Sequence, residues 1–137
     1  IEMIKTVNSR MIAEGQKITN DLVSGFEDGY LDEFYINDDR LIYVALDGEK
    51  VIGFLSVINM ADYSCIYLDD YCVNEEYRGK GIGSKLMSMA FDFAKEKGYD
   101  QVYTHVAAAN KESIEIYNKK NFVNYKIILF KKKAITS

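Results

Sequence analysis

The residues best suited to chemistry lie in one stretch, IYLDDYCVNEEYRGKGIGSK, positions 66–85. Gly79, Gly81 and Gly83 alternate between a strand-like run and a helix-like one. Glycines in that setting let the backbone turn tightly with its amides facing one way. The following helix adds unpaired N–H groups and the positive end of its dipole. Arg78, Gly79, Lys80, Gly81, Ile82, Gly83 and Ser84 therefore form a candidate cradle for a phosphate or pyrophosphate. Upstream, Asp69 and Asp70 place two carboxylates on the strand that enters the loop. Side chains of a strand alternate, which puts one carboxylate toward each face unless a bulge intervenes.

Two familiar phosphate loops do not fit. A dinucleotide fingerprint needs a third glycine where Ser84 stands, and a P-loop needs Lys before Ser, whereas Ser84 precedes Lys85. The segment Arg78-Gly79-Lys80-Gly81-Ile82-Gly83 instead follows the pattern Q/R-x-x-G-x-G/A. It resembles the pyrophosphate-binding segment of the GNAT superfamily of N-acetyltransferases. A second segment, VYTHVAAANKESIEIYNKKNF at 102–122, looks like that family's next strand and helix. Asn110, Ser113, Tyr117, Lys119 and Phe122 stand at the family's offsets, and Asn121 replaces the usual Gly. After Gly, Asn is the residue most tolerant of the left-handed conformation expected just past a helix end. The resemblance runs from Cys65 to Phe122.

The resemblance implies a fold, a cofactor and roles. The fold would be α+β, a mixed and mostly antiparallel sheet flanked by helices, in a single domain spanning 1–137. The co-substrate would be acetyl-CoA, with no metal. The strand at Tyr71, Cys72 and Val73 would splay from its neighbour and offer backbone groups to the pantetheine arm and thioester. Asn110 would bind the pantetheine from the other side, a role compatible with capping the helix at Lys111, and Ser113 follows on the same helix. Tyr117 would donate a proton to the departing sulfur, since a phenol is protonated at neutral pH. Tyr117 also reads as a half-buried helix tyrosine, one of 11 tyrosines in the chain. Around the glycine loop the sequence is most similar to the spermidine/spermine acetyltransferase branch, which carries a Glu-Asp pair where Asp69 and Asp70 stand. That likeness makes Asp69 the candidate base, directly or through water, and Asp70 a contact to a cationic substrate. His105, the one histidine, reads more readily as structural than as catalytic.

These groups need elements to hold them. Glu2–Val7 reads as a first strand, and Asn8 or Ser9 as the cap of a helix with Met11, Ile18, Leu22 and Phe26 on one stripe. Residues 27–39 read as a broken acidic helix. Leu41–Leu46 and Val51–Ile58 read as strands joined by a hairpin at Asp47-Gly48-Glu49-Lys50. A loop at Asn59–Tyr63 precedes a strand at Ile66–Val73. A helix from about Gly83 to Lys97 stops at Gly98, followed by a strand at Gln101–Val106 and a helix at Lys111–Lys120. Tyr125–Lys131 reads as a last strand. The family usually has two strands here and there is room for one, so the resemblance implies a C-terminal edge that either stays short or is completed by another subunit of a homodimer.

Composition narrows the setting. An apolar content of 48% with 28% charged residues is ordinary for a globular protein. No apolar run approaches the ~18 residues of a membrane span, and no secretory pattern opens the chain. Cys65 and Cys72 lack any C-x-x-C or histidine partner. They read as buried free thiols, which suits a reducing cytoplasm. Segment 27–39 carries six acids (Glu27, Asp28, Asp32, Glu33, Asp38, Asp39) and no Lys or Arg, so the remainder sums to +2 within a net −4. In the family this region borders the acceptor side, so the resemblance implies an acidic rim that would steer a cationic amine; the segment reads equally as a solvated helix face. Lys119-Lys120 and Lys131-Lys132-Lys133 are basic clusters, but the net charge and the lack of interleaved aromatics argue against nucleic acid. The expected function is acetyl transfer from acetyl-CoA to a small cationic amine such as a polyamine, by direct attack in a ternary complex. A protein or peptide N-acetyltransferase and a non-catalytic CoA-binding domain are the alternatives.

Overall fold

A computed structural model describes residues 1–5, 9–22 and 39–132. These fall into two compact units, Ile1–His105 and Val106–Ser137. The first contains β1 (Glu2–Ile4), α1 (Ser9–Leu22), β2 (Arg40–Asp47), β3 (Lys50–Met60), β4 (Cys65–Val73), α2 (Ile82–Glu96) and β5 (Gln101–Thr104). Its sheet runs in the order β1-β2-β3-β4-β5. The first four strands are antiparallel, and β5 returns parallel to β4 after the α2 crossover.

The middle of the sheet is covered on both faces. From Val51 to Val57 every β3 residue is buried, the continuous apolar run expected when helices lie on each side. Ile12 and Ile18 of α1 join Ile42, Val44, Leu46, Phe54 and Cys72 in one buried cluster. On α2, Leu86, Met87, Ala90, Phe93 and Ala94 are buried at the spacing of a single helical face. The β2–β3 hairpin closes with Asp47 opposite Lys50, and Gly48 takes φ +61 inside the two-residue turn. Helix α2 ends as its sequence predicts. Gly98 is left-handed (φ +76), its N–H donates to the carbonyl of Lys95, and Tyr99 donates to Ala94. That is the paired closure of a Schellman motif.

The second unit carries α3 (Lys111–Lys119), which closes in the same way. Asn121 is left-handed (φ +68), Asn121 N–H donates to Asn118, and Phe122 N–H donates to Tyr117. The Phe122 ring meets the Tyr117 ring edge-on, with centroids 5.1 Å apart. This is the apolar contact that accompanies such a cap.

Several boundaries differ from the sequence reading. Strand β3 runs on to Met60, and a 3-10 turn at Ala61–Tyr63 replaces most of the expected loop. Strand β5 ends at Thr104, short of Val106. The clearest correction is at the C-terminus. Tyr125–Lys131 forms no strand, and Tyr125, Ile127, Ile128, Leu129 and Phe130 are exposed. β-propensity describes how a residue fits a pleated, half-buried surface and supplies no neighbouring strand to pair with. Val7, Phe26 and residues 27–38 lie outside the described residues, and with them five of the six acids in the proposed rim.

Candidate active site

Strand β4 departs from regular pleating where chemistry was expected. Against β3, Leu68 pairs with Val57 and Tyr71 with Leu55, so the two residues Asp69 and Asp70 lie opposite the single residue Ser56. This is a β-bulge. Ser56 is fully buried, its hydroxyl accepts the Asp70 N–H at 2.9 Å, and the same hydroxyl lies 3.4 Å from the Asp70 carbonyl as a donor. A serine in the apolar run FLSVI therefore satisfies the backbone that the bulge disrupts. It is a residue the sequence reading missed, although a lone polar residue inside a buried strand was a readable signal.

The bulge inverts the alternation. Leu68 and Tyr71, three residues apart, both take the α2 face, while Cys72 pairs with Phe54 in the α1 cluster. Asp69 belongs to the α1 side, where its Oδ2 lies 3.5 Å from an Arg40 guanidinium nitrogen. Both side chains are 24% exposed. Arg40 is the second residue missed from sequence, because its partner stands 29 positions away. On the other flank, the β4–β5 ladder covers only Cys65–Leu68, and its last rung is Leu68 with Thr104. Strand β4 thus continues from Asp69 to Val73 beyond the end of β5.

The loop that follows is built by capping and by glycine geometry. Asn74 N–H donates to the Ile52 carbonyl at 2.7 Å, and its Oδ1 accepts the Glu76 N–H at 3.0 Å. The Arg78 side chain folds back, with Nε donating to the Val73 carbonyl at 3.2 Å. Tyr77 donates to Asp47 at 2.6 Å, and the Lys80 ammonium sits 5.3 Å from the Tyr77 ring centre. Gly79 (φ +77) and Gly81 (φ +79) are left-handed, and a Cβ at either would meet nothing within 4 Å. Gly81 is the N-cap of α2, and it supplies no side-chain cap hydrogen bond to that helix's first turn. A bare helix N-terminus behind an open glycine turn fits an anionic group such as a pyrophosphate. Gly83 has a different reason. A Cβ there would overlap the Tyr71 hydroxyl, which rests on this turn of the helix. Ile82 and Gly83 are buried, and Ser84 is exposed.

The two thiols are free and buried. Burial pushes the Cys72 thiol up to about 11, with Arg78 lowering it and Asp70 raising it. Burial also raises Cys65. Burial thus disfavours the thiolate form of both.

The remaining predicted site residues belong to the second unit. Asn110 caps α3, its Oδ1 accepting the Ser113 N–H at 3.2 Å. Tyr117 is buried, 8% exposed, against Phe122. Within the first unit the fold brings together Tyr71 with Gly83, Val73 with Arg78, and Asp69 with Asp70 beside Ser56. Among the described residues no three His, Cys, Asp or Glu side chains cluster as a metal site would require, and no helix is long and apolar enough to cross a membrane.

The sequence model of the Acetyltransferase (GNAT) family matches residues 13–122. Thialysine N-epsilon-acetyltransferase of Sus scrofa is 42% identical over 52 residues, which is 38% of this chain and 31% of that protein. Streptothricin acetyltransferase of Streptomyces lavendulae is 35% identical over 81 residues, 59% of this chain and 42% of the relative. The match thus spans less than half the length of each. Among solved structures, the aminoglycoside 6'-N-acetyltransferase AAC(6')-IG of Acinetobacter haemolyticus superposes with a TM-score of 0.80 at 18% identity, covering 99% of this chain and 100% of that one. The aminoglycoside N-acetyltransferase AAC(6')-Iy, solved with CoA, gives 0.79 at 18% identity over 97% and 95% of the two chains. Likeness at that identity carries the fold alone.

Proposed function

The chain belongs to the Acetyltransferase (GNAT) family, and from that premise we propose that it transfers the acetyl group of acetyl-CoA to a primary amine, a small cationic amine such as a polyamine. The observation that carries this reading is the continuity of one strand with one loop. Strand β4 runs past the end of β5, bulges at Asp69–Asp70, and delivers the chain into Gly79–Ser84 at the start of α2. A thioester held along the strand and a pyrophosphate held at the helix N-terminus are two groups of one extended ligand, joined by its pantetheine arm.

Bound acetyl-CoA supplies an activated acetyl thioester; the protein supplies position and proton traffic. Gly79–Ser84 hold the pyrophosphate through backbone amides. The backbone of Tyr71, Cys72 and Val73 holds the pantetheine arm and thioester, with Asn110 as a further contact. Orientation of this kind accounts for most of the rate gain expected of such a site. Asp69 is the candidate base and Asp70 the contact for the cation, and Tyr117 keeps a phenolic proton for the departing sulfur. Transfer is direct, within a ternary complex, a reading supported by the burial that disfavours the thiolate form of both cysteines. The amine class draws support from the relatives' names, thialysine at an ε-nitrogen and streptothricin. It also draws support from the acidic composition of segment 27–39.

Release of free CoA thiol, measured with polyamines, aminoglycosides, amino acids and peptide N-termini in parallel, tests the reading. Turnover is expected with the polycationic acceptors and is expected to fall with added salt, since exposed charges are screened over roughly 8–10 Å near physiological ionic strength. Preference for neutral or peptide acceptors overturns the substrate class. Absence of turnover with every amine overturns the activity.

A further inference from the structure

The α1 face of the splayed strands carries a polar pair that the roles above do not use. Tyr67 Oη lies 2.5 Å from His105 Nδ1, and the two rings are 5.3 Å apart, tilted by 57°. The pair stands at the fork of the sheet. Leu68 and Thr104 make the last rung of the β4–β5 ladder, so Tyr67 is one residue before that rung on β4 and His105 is the first residue past the end of β5. Arg40 is in register with Ile58, and Ile58 with Tyr67, which sets all three on one face of the sheet. Asp69, reached by the same Arg40, lies on that face too. The phenol, in contact with the imidazole, therefore shares a face with the carboxylate two residues along the strand that is expected to receive the amine.

Acetylation of an amine must dispose of one proton from nitrogen. Asp69 already has a cationic partner in Arg40 at 3.5 Å. We infer that the proton leaves through Tyr67 and ends on His105, an assignment that rests on the amine-acetylation reading and refines its base. As the N–C bond to the acetyl carbon forms, the N–H bond breaks and its electron pair stays on nitrogen. Tyr67 Oη takes that proton while its own phenolic proton passes to His105 Nδ1. The resulting imidazolium is exposed and returns the proton to water. The C–S bond breaks with its electron pair on sulfur, and the departing sulfur gains the proton assigned above to Tyr117, which water restores, so one proton is lost at nitrogen and one is gained at sulfur. This direction requires Nδ1 to be the unprotonated ring nitrogen, the tautomer in which Tyr67 donates. Tyr67 is then a catalytic residue and His105 acts through it. The Asp69 carboxylate, itself oriented by Arg40, holds an ammonium group of the acceptor beside them.

The test uses Tyr67→Phe, His105→Ala and the double variant, each assayed with the best amine and titrated with acetyl-CoA. Each single change is expected to lower kcat by about tenfold to a hundredfold, the range of a proton-transfer role, with acetyl-CoA affinity unchanged. The double variant should be no worse than either single, because two members of one relay fail as a unit. Added imidazole should restore His105→Ala and leave the double variant unrestored. Single variants within twofold of wild type, a double whose losses multiply, or no rescue by imidazole would each overturn the relay while leaving amine acetylation intact. A wild-type protein that binds acetyl-CoA but acetylates no amine overturns the parent reading and the relay together.

Discussion

At the glycine loop, Gly79 and Gly81 turn left-handed and a Cβ at either would enter open space. At the end of α3, Asn121 adopts nearly the same backbone angle, and there the chain folds back to lay Phe122 on Tyr117. One conformation opens a surface in the first unit and shuts a helix in the second. The comparison teaches that a motif letter records a backbone need without recording what the need serves. In the first unit the left-handed residues free the amides of α2 from any capping side chain. In the second they satisfy the last carbonyls of α3 and pack its aromatic pair.

The sharpest way to break this comparison is at Tyr117. If that residue only closes α3, Tyr117→Phe keeps the ring contact with Phe122 and leaves turnover within twofold. With an acid role, steady-state turnover falls on the order of a hundredfold while calorimetric acetyl-CoA affinity barely moves. The hundredfold loss is the expected outcome. A smaller effect is expected at the loop. Gly81→Asp puts a carboxylate at the helix N-terminus where an anionic ligand is to sit, and acetyl-CoA affinity should drop by at least about tenfold. The same substitution strains a left-handed position by roughly 1–2 kcal/mol, so circular dichroism should still report a folded protein. Unchanged affinity in that folded variant would exclude the loop as the CoA site. The smallest effect is expected at Asn121. Asn121→Gly should leave stability within about 0.5 kcal/mol and turnover unaltered, since Gly meets the same backbone need. Thermal denaturation checks the first expectation. A turnover change at Asn121 would mean that the α3 terminus does more than close a helix.

Legibility varied with the range of the interaction. Gly98 and Asn121 as helix stops, the Asp47–Lys50 hairpin and the bare N-terminus of α2 are local, and each followed from residue types a few positions apart. The carboxylate pair was only half legible. Alternation in β4 assigned Asp69 and Asp70 to opposite faces unless a bulge intervened, and Ser56, on a different strand, supplies the hydrogen bonds that stabilise one. Gly83 was read as part of the phosphate cradle, yet the contact that forbids a side chain there is the Tyr71 hydroxyl. The apolar run from Tyr125 to Phe130 shows the limit from the other side. Its composition reads as a strand, but a strand is a relation between two segments, and no residue within it encodes the partner.

By itself, then, the sequence determined the elements whose causes are short-ranged: strands from apolar runs, helices from their stripes and caps, and the glycine turn that leaves an anion-facing helix end. Tertiary structure alone decided what depends on distant residues meeting. It set the bulge that turns β4, the Arg40 partner of Asp69, the early end of β5 that leaves Asp69–Val73 beyond its ladder, and the contact of Tyr67 with His105 across 38 positions. The physical reason is the same in each case. Backbone conformation is dictated by sterics and hydrogen bonds within a few residues, whereas the pairing of side chains across a sheet follows from register, which only the assembled strands define.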